Sequence, residues 1–408
     1  MKRYLLYLYA TALLTVACSG DDTAGTPSVG STEQVAFSAS VADEEHGVTR
    51  TPANAIETAS ALSTEGGFGV FGCYTGLRKY RESSVSPDFM YNEHVTWSNS
   101  THTWEYTPLK YWPNGEGDVE GTTGQLPHYL SFFAYAPYSN GDDSNPTGNP
   151  AGYCIPSFSH QGELGNPWVT YRLHTYVTKQ VDLLCADPLL DQTKPDKAER
   201  LTFQFKHALA CVGDKVSISC TPDMIAKLNE RAIDNFKLEV TKLEIVYTLT
   251  SKARLVLWNG GEPNWERIYS ETPVCIRTVT LVDAGHPVVA YAVNNSGITT
   301  EIEQSVWNDK GVYYIPLEMP GYPQTAQVNL TYCVSTYSGS AWVPGTSKEG
   351  SVTINLNKFA DTAYMPGKHL YINIAVDDVT MTFTVTAAIA PWDNGGSWGT
   401  DENPIEAI

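Results

Sequence analysis

The sequence predicts an all-β protein made of sandwich-type sheets, and three observations carry that expectation. Short runs alternate apolar with polar or small side chains, and clusters of Gly, Pro, Asn and Asp separate them. The chain holds 24 Tyr and 10 Trp with abundant Thr, residue types that suit a pleated, half-buried surface. Charged residues make up 17%, low against an average of about 25%. At 408 residues the chain exceeds the size at which single cores stop growing, which predicts two domains.

The N-terminus reads as an export signal. Lys2 and Arg3 precede an apolar run from Tyr4 to Ala17, too short to span a bilayer, and the run ends Val16-Ala17-Cys18. Small residues before a cysteine resemble a lipobox, although Thr15 stands where Leu is commoner. On that reading residues 1–17 are a signal peptide and Cys18 is acylated at the mature N-terminus. Residues 18–33 are rich in Gly, Ser, Thr and Asp and form a flexible tether.

Folded structure is expected from Gln34. Val35, Phe37, Ala39 and Val41 alternate with small or polar residues, the signature of a half-buried strand. A polar loop follows, with Thr49-Arg50-Thr51-Pro52. Phe68 to Tyr74 reads as a buried strand, and Tyr129 to Ala136 as another, closed by Pro137. Short strands are predicted over 181–184 and 201–205. Pro222 to Ala232 has helical spacing and marks a join between domains over 34–220 and 221–392. Strand-like runs then recur over 236–249, 254–258, 288–293, 312–316, 326–335, 351–356, 369–376 and 379–389. A Gly-rich acidic tail over 393–408 closes the chain.

No chemistry stands out. The nine histidines form no HExxH or HxH group, and no nucleophile elbow, phosphate-binding loop or dinucleotide fingerprint is present. After Cys18 seven cysteines remain, none in a CxxC pair and none with a histidine at ligand spacing, so neither metal nor cofactor is expected. A net charge of −19 argues against a nucleic-acid partner, because phosphate neutralisation needs clustered Lys and Arg. Asp142 and Asp143 read as a solvated turn, and Trp104, Trp112, Tyr129 and Tyr135, interleaved with Phe and Ala, as core.

Several of these segments together resemble the fimbrillin family, the subunits of type V pili. They are the signal; 34–41 followed by Thr49-Arg50-Thr51; Phe68-Gly69-Val70-Phe71; Trp104-Glu105-Tyr106-Thr107-Pro108 with Tyr111-Trp112-Pro113; and Leu130 to Pro137. Asp182-Leu183-Leu184, Phe205 to Ala210 and Pro366 to Ile374 complete the set, in the family's order. The resemblance implies two tandem transthyretin-like β-sandwich domains and at most one short helix near their join. It also implies an exported lipoprotein that is cleaved after an arginine in the loop following the first strand. Arg50 and Thr51 flank that site here, and Val35, Phe37, Ala39 and Val41 belong to the removable strand. Other fimbrial subunits would be partners by strand addition, the outer membrane a partner through the lipid, and cell adhesion and biofilm formation the outcome. A tip or accessory position is favoured over a stalk position, because Gly395 and Gly396 lie in a segment poor for strand donation. A surface glycan-binding lipoprotein and an uncleaved anchor subunit remain alternatives.

Overall fold

The computed structural model describes residues 34–41, 55–81, 85–113, 128–195, 197–223, 226, 235–261, 263–268, 272–294, 305–308, 311–317, 319–338, 341–356, 366–376, 383–391 and 405–406. The chain is built on β-strands, as the alternation predicts. In the first half these are β1 (Ala36–Val41), β2 (Phe68–Gly76), β3 (Met90–Ser98), β4 (Thr103–Glu105), β5 (Tyr129–Ala136) and β6 (Ser157–Phe158). β7 (Trp168–Arg172), β8 (Leu184–Ala186), β9 (Leu189–Gln192), β10 (Arg200–His207) and β11 (Ala210–Cys220) follow. The second half holds β12 (Asn235–Thr250), β13 (Lys252–Val256), β14 (Asn264–Arg267), β15 (Val274–Val282), β16 (Val288–Asn294) and β17 (Ser305–Asn308). It continues with β18 (Val312–Tyr314), β19 (Thr325–Ser338), β20 (Ala341–Asn355), β21 (Lys368–Val376), β22 (Phe383–Pro391) and β23 (Ile405–Glu406).

The first sheet runs β1-β10-β8-β5-β2-β3-β4, with β9 on β5. At its centre both faces are buried, because β2 and β5 are apolar at successive positions. Phe68, Val70, Phe132 and Ala134 enter one core with β1 and β10, while Phe71, Cys73, Phe133 and Tyr135 enter a second, larger core. Strands apolar on both faces are what a buried central position requires. The larger core is shared with a four-stranded sheet, β14-β13-β7-β6, and with the two sheets of the second half. Those two are β17-β11-β21-β22-β23, with β18 on β11, and β15-β12-β19-β20, with β16 on β12. Ile218, Ile372 and Ile374 from one meet Leu238, Ile245, Tyr247 and Val328 from the other in that core, a sandwich arrangement.

Two differences from the sequence expectation stand out. First, the join expected at residues 220 and 221 does not coincide with a break between sheets. β11 precedes it yet pairs with β17, β18 and β21, and β13 and β14 follow it yet extend the sheet of β6 and β7. The apolar run from Ala208 to Val212 passes continuously from one sheet to the next, so nothing in its pattern marks the crossing. Second, among the described residues of the first half two short α-helices occur, α1 (Ala59–Thr64) and α2 (Pro150–Cys154), where at most one helix near the join was expected. Each is stabilised locally: the Thr58 side chain accepts from Ala61 N, Asn149 accepts from Gly152 N, and Pro150 occupies the first turn. The helix expected at Pro222 to Ala232 lies largely outside the described residues.

Candidate functional site

The site of interest is the seat of the first strand. β1 forms one edge of its sheet and pairs with β10 in parallel, in unbroken register from Ala36↔Arg200 to Val41↔Phe205. Its alternation does what the sequence predicts. Val35, Phe37 and Val41 are buried and Ala39 packs beside them, while Ser38 and Ser40 face away and Ser38 Oγ lies 2.7 Å from Thr202 Oγ1. The Phe37 ring has centroids at 5.3 Å from Phe132, 5.3 Å from Phe203 and 5.8 Å from Tyr106. Burial of one Phe and two Val side chains stabilises the strand by roughly 5–9 kcal/mol.

The start of the strand is clasped from its other side. Gln34 bridges Tyr111, Val35 N donates to Lys110 O at 2.9 Å, and the Tyr106 hydroxyl donates to Val35 O at 2.6 Å. Arg200 adds a staple, its Nη1 donating to Phe37 O at 3.1 Å and reaching Trp104 O at 3.4 Å. Burial pushes the Tyr106 phenol up to about 12, against the opposing pull of its hydrogen bonds. A cavity of about 400 Å³ lies elsewhere, by Pro137 and Gln180, but one of about 280 Å³ opens beside this clasp, lined by Gln34, Ala36, Trp112 and Arg200.

Beyond Val41 the chain is next described at Ala55. Ile56 is buried in the same core as β1, and its N–H donates to Asp182 Oδ2 at 3.1 Å. The same carboxylate oxygen lies 2.9 Å from His207 Nδ1 at the end of β10, which makes His207 a structural histidine. Arg50 and Thr51, the expected cleavage site, lie outside the described residues, as does Cys18. The structure therefore brings Val35, Phe37, Ala39 and Val41 together on one buried face. Sequence reasoning missed Arg200, whose signal is a charged residue opening an otherwise alternating strand.

The other sequence candidates fall where elementary packing puts them. Trp104, Trp112 and Tyr135 are buried as expected and Tyr129 is half-buried, so these four offer no exposed aromatic platform to a glycan. Asp142 accepts from Ser144 N and Asp143 pairs with Arg172, a hydrogen-bonded turn. All seven described cysteines carry free thiols.

No protein-family model matches the chain. The fimbrium subunit Fim1C of Phocaeicola vulgatus is 25% identical over 276 residues, and the match spans 64% of this chain and 64% of that relative's length. A fimbrial protein from Bacteroides vulgatus, known from a crystal structure, shares the fold with a TM-score of 0.56 at 20% identity. That match covers 88% of this chain and 99% of the other. This chain is therefore similar in sequence to a fimbrium subunit and shares the fold of a fimbrial protein.

Proposed function

We propose that the chain is a non-enzymatic structural subunit of a cell-surface fimbrium, joined to its neighbour by strand exchange once β1 has been released. The carrying observation is the seat of β1: an edge strand, partnered among the described strands by β10 alone, that fills an apolar groove with Val35, Phe37 and Val41. Cleavage after Arg50 would free the strand from the chain that re-enters the core at Ile56. The emptied groove would then expose unpaired backbone groups of β10 beside Phe132 and Phe203, and a neighbour's alternating strand would satisfy both. Residues 1–17 act as the export signal, and Cys18 anchors the precursor in the outer membrane until cleavage. Adhesion and biofilm formation follow from assembly at the cell surface.

A tip or accessory position is supported by β22, which pairs with β21 over Lys368↔Pro391 to Val376↔Phe383 and carries β23 on its other side. A strand held on both sides is a poor donor. The test is to treat the full precursor with a trypsin-like protease and sequence the product. A new N-terminus at Thr51, with heat-resistant oligomers forming after cleavage, is the expected result. A filament-associated protein that still begins well before Thr51 refutes the mechanism. Immunogold label along the whole shaft, in place of label at filament ends, refutes the tip position. A Cys18→Ala precursor that still takes up a fatty-acid probe refutes the anchor.

A further inference from the structure

β11 and β21 lie parallel, and one irregularity in β11 gathers three metal-binding side chain types in the core. The register pairs Cys211 with His369 and Val212 with Leu370, then resumes at Val216 with Ile372. The extra residues form a bulge in which Gly213 takes a φ of +72°, a conformation that favours glycine. In a regular strand Cys211 and Asp214, three positions apart, would face opposite sides of the sheet. The bulge brings them to one side. Asp214 Oδ2 lies 2.6 Å from His369 Nδ1, and one ligand atom from each of Cys211, Asp214 and His369 lies within 4.8 Å of the others. Among the described residues this is the one group of three or more His, Cys, Asp or Glu with that geometry.

The cluster is closed to solvent: Cys211 is 0% exposed, His369 2% and Asp214 5%. Gly311 seals it, since a Cβ there would lie 2.6 Å from both Cys211 Sγ and Asp214 Cβ. Yet its polar atoms are not all answered. Asp214 Oδ1 is buried with no hydrogen-bond partner, and so is the hydroxyl of Tyr247, which sits 2.2 Å from the position of a Cβ on Gly213. An idle carboxylate oxygen in an apolar core is costly unless a cation meets it.

We propose that Cys211, Asp214 and His369 form a structural site for a divalent cation of the zinc type, with the Tyr247 hydroxyl beside it. Sulfur, imidazole and carboxylate are zinc's usual donors, and three of them from β11 and β21 would tie the two strands together. As the zinc–sulfur bond forms, the Cys211 thiol proton leaves to solvent. Without a cation the thiol stays protonated, because burial and then the Asp214 and Asp182 carboxylates push its pKa well up. That and its burial also rule it out as a nucleophile.

The test refolds the full chain from denaturant under reducing conditions with Co²⁺, so that burial does not block entry. The expected result is one equivalent of cobalt bound with a sulfur-to-cobalt charge-transfer band, displaced by zinc, and a higher Tm for the zinc-loaded protein than for the metal-free one. Cys211→Ser loses the band, whereas Cys275→Ser keeps it. Asp214→Asn, nearly isosteric, still folds and binds about tenfold more weakly or worse, since loss of even an outer partner costs that much. This variant decides the matter should Cys211→Ser fail to refold. Wild-type protein that takes up no stoichiometric cobalt, a band that survives Cys211→Ser, or unchanged affinity in Asp214→Asn each overturns the proposal.

Discussion

Phe37 packs its ring against Phe132, Phe203 and Tyr106 and is completely buried, although it sits on an edge strand. Truncation to Ala removes that packing and leaves a cavity between aromatic walls. Phe37→Ala is therefore expected to weaken the docking of β1 by about 3–5 kcal/mol, read as faster amide exchange over Ala36–Val41 and a lower urea midpoint. Ser40→Ala, on the opposite face, is the control and should leave both unchanged. Tyr106 gives a pH test at the same seat. Its folded pKa of about 12 exceeds the model-compound value of 10.0, so the folded state keeps a proton that the unfolded state releases. The stabilisation is complete below pH 10.0 and is lost as pH rises towards about 12. Buried cysteines such as Cys73 titrate nearby, so the comparison must be with Tyr106→Phe. That variant should show a shallower fall in urea midpoint across this window than the wild type, and an identical fall would exclude Tyr106 as a source.

At the scale of elements, β1 and β22 are opposites. Among the described strands β1 has one sheet partner, with a clasp at its N-terminal end, while β22 has β21 along its whole length and β23 beside it. Arg200 is the clasp residue that reaches both Phe37 and Trp104 through their carbonyls. Arg200→Ala should loosen β1 by about 1.5–3 kcal/mol, the worth of such part-buried charge-assisted hydrogen bonds. Because β1 is locally rather than globally stabilised, the change should speed protease release of the strand more than it lowers Tm. Equal effects on both would mean that β1 does not open independently of the rest. Cleaved protein should also bind a synthetic peptide of residues 34–41, and should bind one with Phe37 replaced by Ser far more weakly, by fluorescence titration.

The whole molecule is joined through its larger core. Phe71 and Tyr135 of the first sheet share that core with Leu255 and Trp265 of the second half, and Trp265 Nε1 donates to Ala208 O at 3.0 Å. Interfaces of this kind unfold together when neither side can bury its apolar face alone. The full chain is expected to unfold in one transition by urea, with fluorescence and circular dichroism coincident, and a fragment of residues 34–208 should not fold, since its β7 would lose β13. Two separate transitions would show that the sheets are energetically independent. Deletion of residues 383–391 should likewise abolish folding, because it uncovers β21 and removes buried Val385.

The sequence by itself determined the strand-rich fold, because alternation of apolar and small residues has a period of two that no helix can satisfy. It also determined the face of β1 that is buried, Val35, Phe37 and Val41, and the structural roles of Trp104 and Trp112. Only the tertiary structure decided which strands pair. Periodicity states which face of a strand is apolar but not which neighbour covers it, so the crossing of β11 into the second half and the meeting of β7 with β13 were illegible. For the same reason the charged residue that opens β10 could not be given a role, since the partners of Arg200 are carbonyls at Phe37 and Trp104, far away along the chain. The approach of His369 to Cys211 and Asp214 depends on a single bulge at Gly213, a local break in the period that places distant side chains on a common face.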